Sequence, residues 1–239
     1  MNKKHPALYA IFTLTILLAC FRANAFSPER LVKDARAQIG VTLLYDPAYA
    51  RIPYPGGDVP IVKGVCTDVV IRALRHQGID LQRLVHEDIS DNFQHYPNLQ
   101  KWRLKKPDTN IDHRRVYNLQ RYFEQRGYAV ADETFLPGDI VTWELRPGVG
   151  HIGIVSDKKA PSGQPLVIHN IGIGTQEEEM LYRFPVSGHY RLKNTGTAHV
   201  AQTEPPPRNT SASRTSRTRQ AQASRARYKK SAKTQRRRR

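Results

Sequence analysis

The sequence predicts an α+β domain in which helices pack on one face of a small antiparallel sheet. Apolar residues recur at three- and four-residue spacing in the first part of the chain. In the later part they alternate with polar residues, and short turns separate the apolar runs. Short connections favour antiparallel pairing, because parallel strands need a long crossover. Helices first and strands second therefore indicate segregated α+β packing.

Net charge divides the chain into a nearly neutral body and a strongly basic end. The 239 residues include 38 Lys+Arg and 21 Asp+Glu, a formal charge of +17. Residues 201–239 hold thirteen of the basic residues and one acidic residue. This segment has a triple proline and almost no large apolar residues, a composition that is unable to bury a core. We therefore expect a folded domain over residues 26–200, which holds the candidate catalytic residues described below, and a disordered Arg-rich tail over 201–239.

Residues 1–25 resemble a secretory signal peptide. A basic start is followed by the uncharged apolar run 7–21 and by Ala23-Asn24-Ala25, a typical cleavage site. The run is short for a retained membrane anchor. Leu17 to Cys20 also resembles a lipobox, which would make Cys20 a lipid-bearing N-terminus, but Leu18 fits that pattern poorly. The sequence predicts export to the periplasm or cell envelope, with a lipoprotein as the alternative.

Caps and apolar spacing predict four helices. Ser27 and Pro28 are typical of the start of a helix, Asp112 is a candidate N-cap, and glycines follow three of the apolar stripes. The predicted helices cover residues 27–40, 66–78, 80–91 and 112–127. Prolines and paired glycines make residues 45–60 irregular, either lining a cleft or serving as a surface connection. Residues 92–108 are also expected to be irregular.

Four strands follow these helices. Each is a short apolar run next to a turn, and Leu136-Pro137-Gly138-Asp139 and residues 146–150 supply two of the turns. The predicted strands cover residues 140–145, 151–155, 165–170 and 188–192.

Cys66 stands where the second helix begins. Free N–H groups and the helix dipole favour an anion there, so we expect its thiol to ionise more readily than a free one. Cys66 is the one cysteine outside the leader, and an unpaired thiol in an exported protein is a liability unless it is buried or used. A buried apolar role is the competing interpretation.

His151 and His169 are predicted to be neighbours. His151 opens one strand and His169 lies near the end of the next, so an antiparallel hairpin brings them together. If the Cys66 helix packs on these strands, His151 can take the thiol proton while His169 fixes the orientation and tautomer of its ring.

The motifs that carry these residues resemble a known superfamily. Val65-Cys66-Thr67-Asp68-Val69, the Pro-Gly-Asp turn into an apolar strand, His151-Ile152-Gly153-Ile154-Val155 and His169-Asn170 resemble, in this order, the NlpC-type branch of the papain-like cysteine peptidases. Within it they are similar to an exported bacterial group catalogued as a domain of unknown function. The resemblance covers roughly residues 28–192.

The resemblance implies an exported cysteine hydrolase that cleaves amide bonds in peptidoglycan stem peptides. It makes Cys66 the nucleophile, His151 the base and His169 the orienting residue, with Asn170 as orienting residue if the register differs by one. The superfamily usually has Asp and Ser on either side of the cysteine, whereas Val65 and Thr67 stand here.

Substrate contacts are expected from Asp68, Tyr54 and Asn170. Asp68 has helix capping as its competing role, and Tyr45 is a further candidate on the Pro-rich segment. A metal site built from the three catalytic candidates with His189 or Asp139 lacks HExxH or CxxC spacing, so we expect no metal and no cofactor.

Two partners and one alternative function complete the predictions. Peptidoglycan or its peptides are the expected partner of the domain. An anionic envelope polymer or lipid head groups are the expected partner of residues 201–239, in preference to a specific nucleic acid. The alternative function is a papain-like module that binds cell wall or another envelope polyanion without turnover.

Overall fold

The computed structural model describes residues 25–193, which form the predicted mixed α+β architecture. Helices occupy the first part of this range and strands the second. The helices are α1 Pro28–Arg36, α2 Cys66–Arg75, α3 Leu81–Asp91, α4 Asn98–Trp102 and α5 Val116–Gln125. No helix within residues 25–193 is both long enough and apolar enough to cross a bilayer. The predicted tail and residues 1–24 of the leader lie outside the described range.

Five strands form an antiparallel sheet, and two more form a short parallel pair. The strands are β1 Leu44–Tyr45, β2 Lys63–Gly64, β3 Ile140–Arg146, β4 Val149–Lys159, β5 Pro165–Asn170, β6 Thr175–Glu178 and β7 Val186–Tyr190. The sheet order is β6-β5-β4-β3-β7. The chain therefore runs as a meander from β3 to the β6 edge and returns to add β7 beside β3. The prediction missed β6 and the β1–β2 pair.

One predicted helix cap, Ser27, is confirmed and one, Asp112, is wrong. The Ser27 hydroxyl accepts the N–H of Arg30 at 3.1 Å, and the Asp80 carboxylate accepts that of Gln82 at 3.2 Å. Asp112 instead opens a single 3-10 turn, and α5 begins only at Val116. The Asp112 carboxylate accepts the N–H of Asp108 at 2.6 Å, so it holds the preceding loop rather than the following helix. The prediction of an irregular segment at 92–108 missed α4.

The sheet separates two apolar layers. Ile140, Ile152, Ile154 and Ile168 pack with the buried faces of the helices, which confirms the predicted packing of helices on one face. The alternate residues of the same strands face the other way, where Met180 and Leu181 help to cover them; they include Val141, Trp143, Val155 and Val167. Buried apolar side chains cover both faces of the sheet, so packing from both sides holds the strands that carry the histidines in position.

Candidate active site

Cys66 is the first residue of α2 and lines a cleft of about 240 Å³. Its thiol lies against the backbone N–H of Ile152 on β4. Ile152 directly follows His151, so the helix start and the histidine strand meet at this point. The side chain is 4% exposed. Little of Cys66 therefore meets solvent, and the residue borders the cleft.

His151 and His169 form the predicted pair. His151 Nε2 lies 2.9 Å from His169 Nδ1, and the two rings meet edge to face with centroids 5.0 Å apart. Both side chains are buried, at 2% and 0% exposure. The hydrogen bond occupies Nε2 of His151 and leaves Nδ1 as the nitrogen that is able to exchange a proton with another group.

Gly153 and Trp143 fix the positions of the two rings. A Cβ at Gly153 would lie 2.6 Å from Val167 Cγ1 and 3.1 Å from His169 Cβ, so the missing side chain leaves the room that His169 needs. Trp143 pairs with His151 across β3 and β4, with ring centroids 5.7 Å apart. The Trp143 indole N–H donates to the Leu181 carbonyl at 2.9 Å, which holds the ring in place.

Glu178 on β6 extends the pair to a third residue that sequence reasoning missed. Its Oε1 lies 3.1 Å from His169 Nε2, within ion-pair range but off the axis of a regular hydrogen bond. An ionised carboxylate only accepts, so it favours the proton of His169 on Nε2. Nδ1 of His169 then accepts from Nε2–H of His151, and Nδ1 of His151 carries a free lone pair. The carboxylate thus selects the tautomer that a general base requires.

The free site is electrically neutral at the sulfur and at the imidazole. Burial raises the pKa of the Cys66 thiol to about 12, although the N–H of Ile152 acts to lower it. Burial, reinforced by His169, lowers the pKa of His151 to about 3. Burial also lowers the pKa of His169, and Glu178 opposes that effect. The expectation of a readily ionised thiol is therefore wrong for the free protein, because desolvation outweighs the helix terminus.

The cleft beside Cys66 is lined mainly by aromatic, apolar and arginine side chains. Tyr45 stands on one wall, where β1 pairs with β2 just before Cys66. Burial raises the pKa of Tyr45 to about 12, and the nearby Cys66 and Asp68 add to the rise. The cleft is lined by Tyr45, Pro47, Val65, Cys66, Trp102, Ile111, Arg114, Arg115, Val116, Tyr117, Gly148, Val149 and Gly150.

Tyr54, expected to contact substrate, is not among the cleft residues. The loop that carries it is tied to the start of α3, since Gly57 N–H donates to Gln82 Oε1 at 2.7 Å and Gln82 donates to the Pro53 carbonyl at 2.9 Å. Tyr54 then packs edge to face on His86, with centroids 5.3 Å apart. The Pro-rich segment lines the cleft through its first residues, Tyr45 and Pro47, rather than through Tyr54.

Asp68 caps the start of α2, which was the alternative to the expected contact with substrate. Its Oδ2 accepts the N–H of Val65 at 2.7 Å, and both oxygens accept from Arg114 at 3.0 Å. The residue is 3% exposed, so its carboxylate is committed to the protein rather than to a substrate amine.

Asn170 is fully buried and does not line the cleft. Its amide donates to the carbonyl of Gly64 at 3.2 Å, and its oxygen accepts the N–H of Gly172 at 3.3 Å. It therefore ties the end of β5 to the strand that leads into Cys66. His169, not Asn170, is the side chain that meets His151.

No group of three metal-binding side chains is found among residues 25–193. His189 and Asp139, the other members of the rival metal site, bond to each other at 2.7 Å. They belong to a separate network with Arg191.

The fold and the site can now be compared with known proteins. The family model described as Domain of unknown function (DUF1287) matches residues 32–192, more than half of the chain. The chain belongs to this family. The Uncharacterized protein YijF of Escherichia coli (strain K12) is 58% identical over 165 residues, which cover 67% of this chain and 80% of the relative. No solved structure matches. The DUF1287 match contains Cys66, both paired histidines and Glu178, and membership of a group catalogued as a domain of unknown function is confirmed.

Proposed function

We propose that this DUF1287 protein is a cysteine hydrolase that cleaves amide bonds with Cys66 as nucleophile. One observation carries the proposal. The thiol at the start of α2 lies against the strand that carries His151, and Nε2 of His151 lies 2.9 Å from Nδ1 of His169. Cys66 and His151 lie on elements that meet at Ile152, and on this basis we assign Cys66 as nucleophile, His151 as base and His169 as orienting group, with Glu178 as a fourth member. A cleft of about 240 Å³ lies beside Cys66 and gives a substrate group access to it.

The first step forms the bond between Cys66 Sγ and the carbonyl carbon of the amide. The thiol proton passes to Nδ1 of His151 as this bond forms, because neither group is ionised beforehand. The new imidazolium is stabilised through His169 by Glu178. Bound substrate also displaces water from the cleft, which strengthens each of these interactions.

The developing oxyanion needs hydrogen-bond donors. The backbone N–H of Cys66 has no partner within its helix, since the first four N–H groups of a helix lack one. The Tyr45 hydroxyl stands in the same cleft, and with a pKa of about 12 it keeps its proton at neutral pH. We assign these two groups as the donors.

The second step releases the amine and then the acid. His151 returns its proton to the departing nitrogen as the carbon–nitrogen bond breaks, which leaves a thioester on Cys66. Water, deprotonated by His151, attacks the thioester and regenerates the thiol. Atoms balance as one water consumed for each amide cleaved.

The papain-like architecture and the wall substrate belong to the proposal as well. A cysteine helix before an antiparallel sheet that bears two histidines supports the papain-like order of elements. The motif resemblance supports peptidoglycan stem peptides as substrates and an exported location. Residues 201–239 would hold the protein on an anionic envelope surface through counterion release. Envelope retention that persists at low salt after removal of residues 201–239 would refute the tail's role.

Incubation of the purified protein with isolated peptidoglycan tests the activity. The Cys66→Ala variant is the matched control, and released fragments are identified by mass spectrometry. We expect fragments only with Cys66 present, each with a new amine and a new carboxylate at the cut. Circular dichroism of both proteins establishes that the variant is folded.

The same experiment decides the alternative. A protein that releases nothing, yet pellets with peptidoglycan whether or not Cys66 is present, would be a wall-binding module. The neutral, 4% exposed thiol is the observation that favours this alternative.

A further inference from the structure

Two consecutive arginines line the cleft, and their surroundings differ. Arg114 is 7% exposed, and its Nε and Nη2 donate to the two oxygens of Asp68 at 3.0 Å each. This is a bidentate ion pair in which one carboxylate neutralises one guanidinium. Arg114 is therefore committed to holding the start of α2.

Arg115 has no such partner among the described residues. Its guanidinium lies over the ring of Trp102, with its Cζ 4.6 Å from the centroid. Its one side-chain hydrogen bond within residues 25–193 runs from Nη1 to Asp112 Oδ1 at 3.4 Å. The Asp112 carboxylate is shared with the N–H of Asp108 at 2.6 Å and with His86 at 3.3 Å.

The charge of Arg115 is thus incompletely compensated. Burial lowers the pKa of Arg115 below its ordinary value, and Asp112 and Asp108 oppose this effect without cancelling it. A half-buried cation with unused donors is stabilised by an anion that enters from solvent. The contact with Trp102 helps to hold the guanidinium in position, and its remaining N–H donors suit a bidentate contact with a carboxylate.

The acid that pairs with Arg115, Asp112 at 3.4 Å, is not among the residues that line the cleft. Among the described residues that line it, two are arginines and none is Asp or Glu. Lys101 adds a second positive group close by, with its amine 4.0 Å from the centre of the Tyr117 ring. Glu144, the nearby acid, is occupied by the Tyr117 hydroxyl at 2.7 Å and by the N–H of Gly148. The described lining of the cleft therefore has two positive groups and no negative one, which favours an anionic ligand over a cationic one.

We propose that Arg115 binds a carboxylate group of the substrate and selects acidic peptides. The position of the scissile amide at Cys66 rests on the proposed function; the anion site itself does not. Both residues line one cleft of about 240 Å³, smaller than the roughly 300–1,000 Å³ of typical small-molecule pockets. The carboxylate consequently belongs to the residue that is cleaved or to its immediate neighbour. Arg114 is a positioning residue, and Arg115 determines specificity.

Chemical amidation of the ligand tests the proposal. Solubilised wall stem peptides are used as prepared and after conversion of their carboxylates to carboxamides with carbodiimide and ammonia. Hydrolysis by the full protein and binding to its Cys66→Ala variant, by calorimetry, are both measured. We expect amidation to weaken binding and kcat/KM at least tenfold. Equal behaviour of the two forms, or no binding of either, overturns the proposal.

Variants locate the effect at Arg115. Arg115→Gln in the Cys66→Ala background should bind both forms alike, at the affinity of the amidated form, and Arg115→Lys should restore only part of the preference because it lacks the planar fork. Arg121→Gln removes one charge from the exposed side of α5 and serves as the control, with the preference intact. Loss of the preference in Arg121→Gln as well would reduce the effect to overall charge and refute the site. Thermal unfolding of each variant shows that the fold is kept.

The outcomes also separate this inference from the proposed function. Preferential binding of the acidic form to Cys66→Ala, without hydrolysis by the intact protein, would remove the hydrolase and keep the anion site. Hydrolysis that is indifferent to amidation would keep the hydrolase and remove the anion site.

Discussion

Two side-chain pairs, His151–His169 and His189–Asp139, lie on one face of the same sheet. They differ in how the charge of the histidine is balanced. His189 on β7 pairs with Val141 on β3, and Val141 pairs with Gly153 on β4. His169 on β5 lies beside Gly153, so the two histidines share a face of the sheet. His189 bonds the carboxylate of Asp139 at 2.7 Å and lies 3.3 Å from the Asp132 carbonyl. His151 bonds only another neutral imidazole, that of His169.

The difference lies in how many partners each carboxylate already has. Asp139 also accepts two hydrogen bonds from Arg191, at 2.8 and 2.7 Å, and the N–H of Leu136 at 2.8 Å. Asp139 therefore contacts three residues, His189, Arg191 and Leu136, which helps to hold the His189 ring in place. At the other pair, Glu178 is 41% exposed and is separated from His151 by His169. Among residues 25–193, His151 therefore has no carboxylate in direct contact, and the proton that it takes in the proposed reaction is stabilised only through His169.

The largest expected difference between the two pairs comes from replacing His151 and His189 in turn. His151→Gln should lower kcat/KM on wall peptides by about 10³-fold or more, within the range for loss of a general base. His189→Gln should change it less than tenfold while the protein stays folded. Initial rates measured below the unfolding transition of both variants check this. Similar losses in the two variants would mean that the pairs do not have different roles.

The second test removes the carboxylate of the His189–Asp139 pair, which we expect to lower stability and to leave activity nearly unchanged. Asp139→Asn leaves Arg191 and His189 without their carboxylate, and we expect it to lower the free energy of unfolding by about 3 kcal/mol. Activity per folded molecule should stay within threefold of the original. Urea denaturation gives the stability, and Glu177→Gln, in a partly exposed ion network, provides a comparison with a smaller expected loss.

Acid sensitivity sharpens the contrast. The pKa of His151 is lowered to about 3 in the folded chain, against about 6.5 when unfolded, so the unfolded chain binds the extra proton between these values. Stability is then complete above pH 6.5 and falls as the pH falls toward 3. His151→Gln should recover about 2 kcal/mol of the loss between pH 6.5 and 4.5. Buried His113, whose pKa is also lowered to about 3, should keep part of the slope. Identical slopes in urea titrations of the two proteins would contradict the neutral state of His151.

The smallest effect is expected from crowding the pair. Gly153→Ala places a methyl group 2.6 Å from Val167 Cγ1 and 3.1 Å from His169 Cβ, which should cost about 1–2 kcal/mol of stability and lower kcat/KM about tenfold by moving His169. Gly172→Ala is the matched control, because its added carbon meets nothing within 4 Å. Thermal melts and initial rates of both variants make the comparison. An equal loss of activity in Gly172→Ala would show that His169 is not the cause.

The sequence predicted the elements that carry strong periodicity. The apolar stripe after Cys66 and the alternation around His151 and His169 each sufficed to predict an element and its position. The prediction that His151 and His169 are neighbours followed from antiparallel pairing of their strands. These features depend on residues close together along the chain, which is why they are readable without a structure.

Other parts of the site depend on contacts that no local pattern records. β6 reads Thr-Gln-Glu-Glu, with no apolar alternation, so neither the strand nor Glu178 was predicted. Arg115 was placed inside a helix because Asp112 resembles a cap, whereas the acid bonds backward to Asp108. The pKa of Cys66 followed burial by β4, and a helix terminus seen in isolation predicts the opposite direction.

The burial of Cys66 also bears on chemical damage. Peroxides and disulfides attack the thiolate form of cysteine, and access to the sulfur sets the rest of the rate. A thiol with a pKa of about 12 and 4% exposure is a poor target for both. We therefore expect the free protein to resist sulfenic acid formation and mixed disulfides, and under the proposed mechanism the sulfur reacts only as its proton passes to His151.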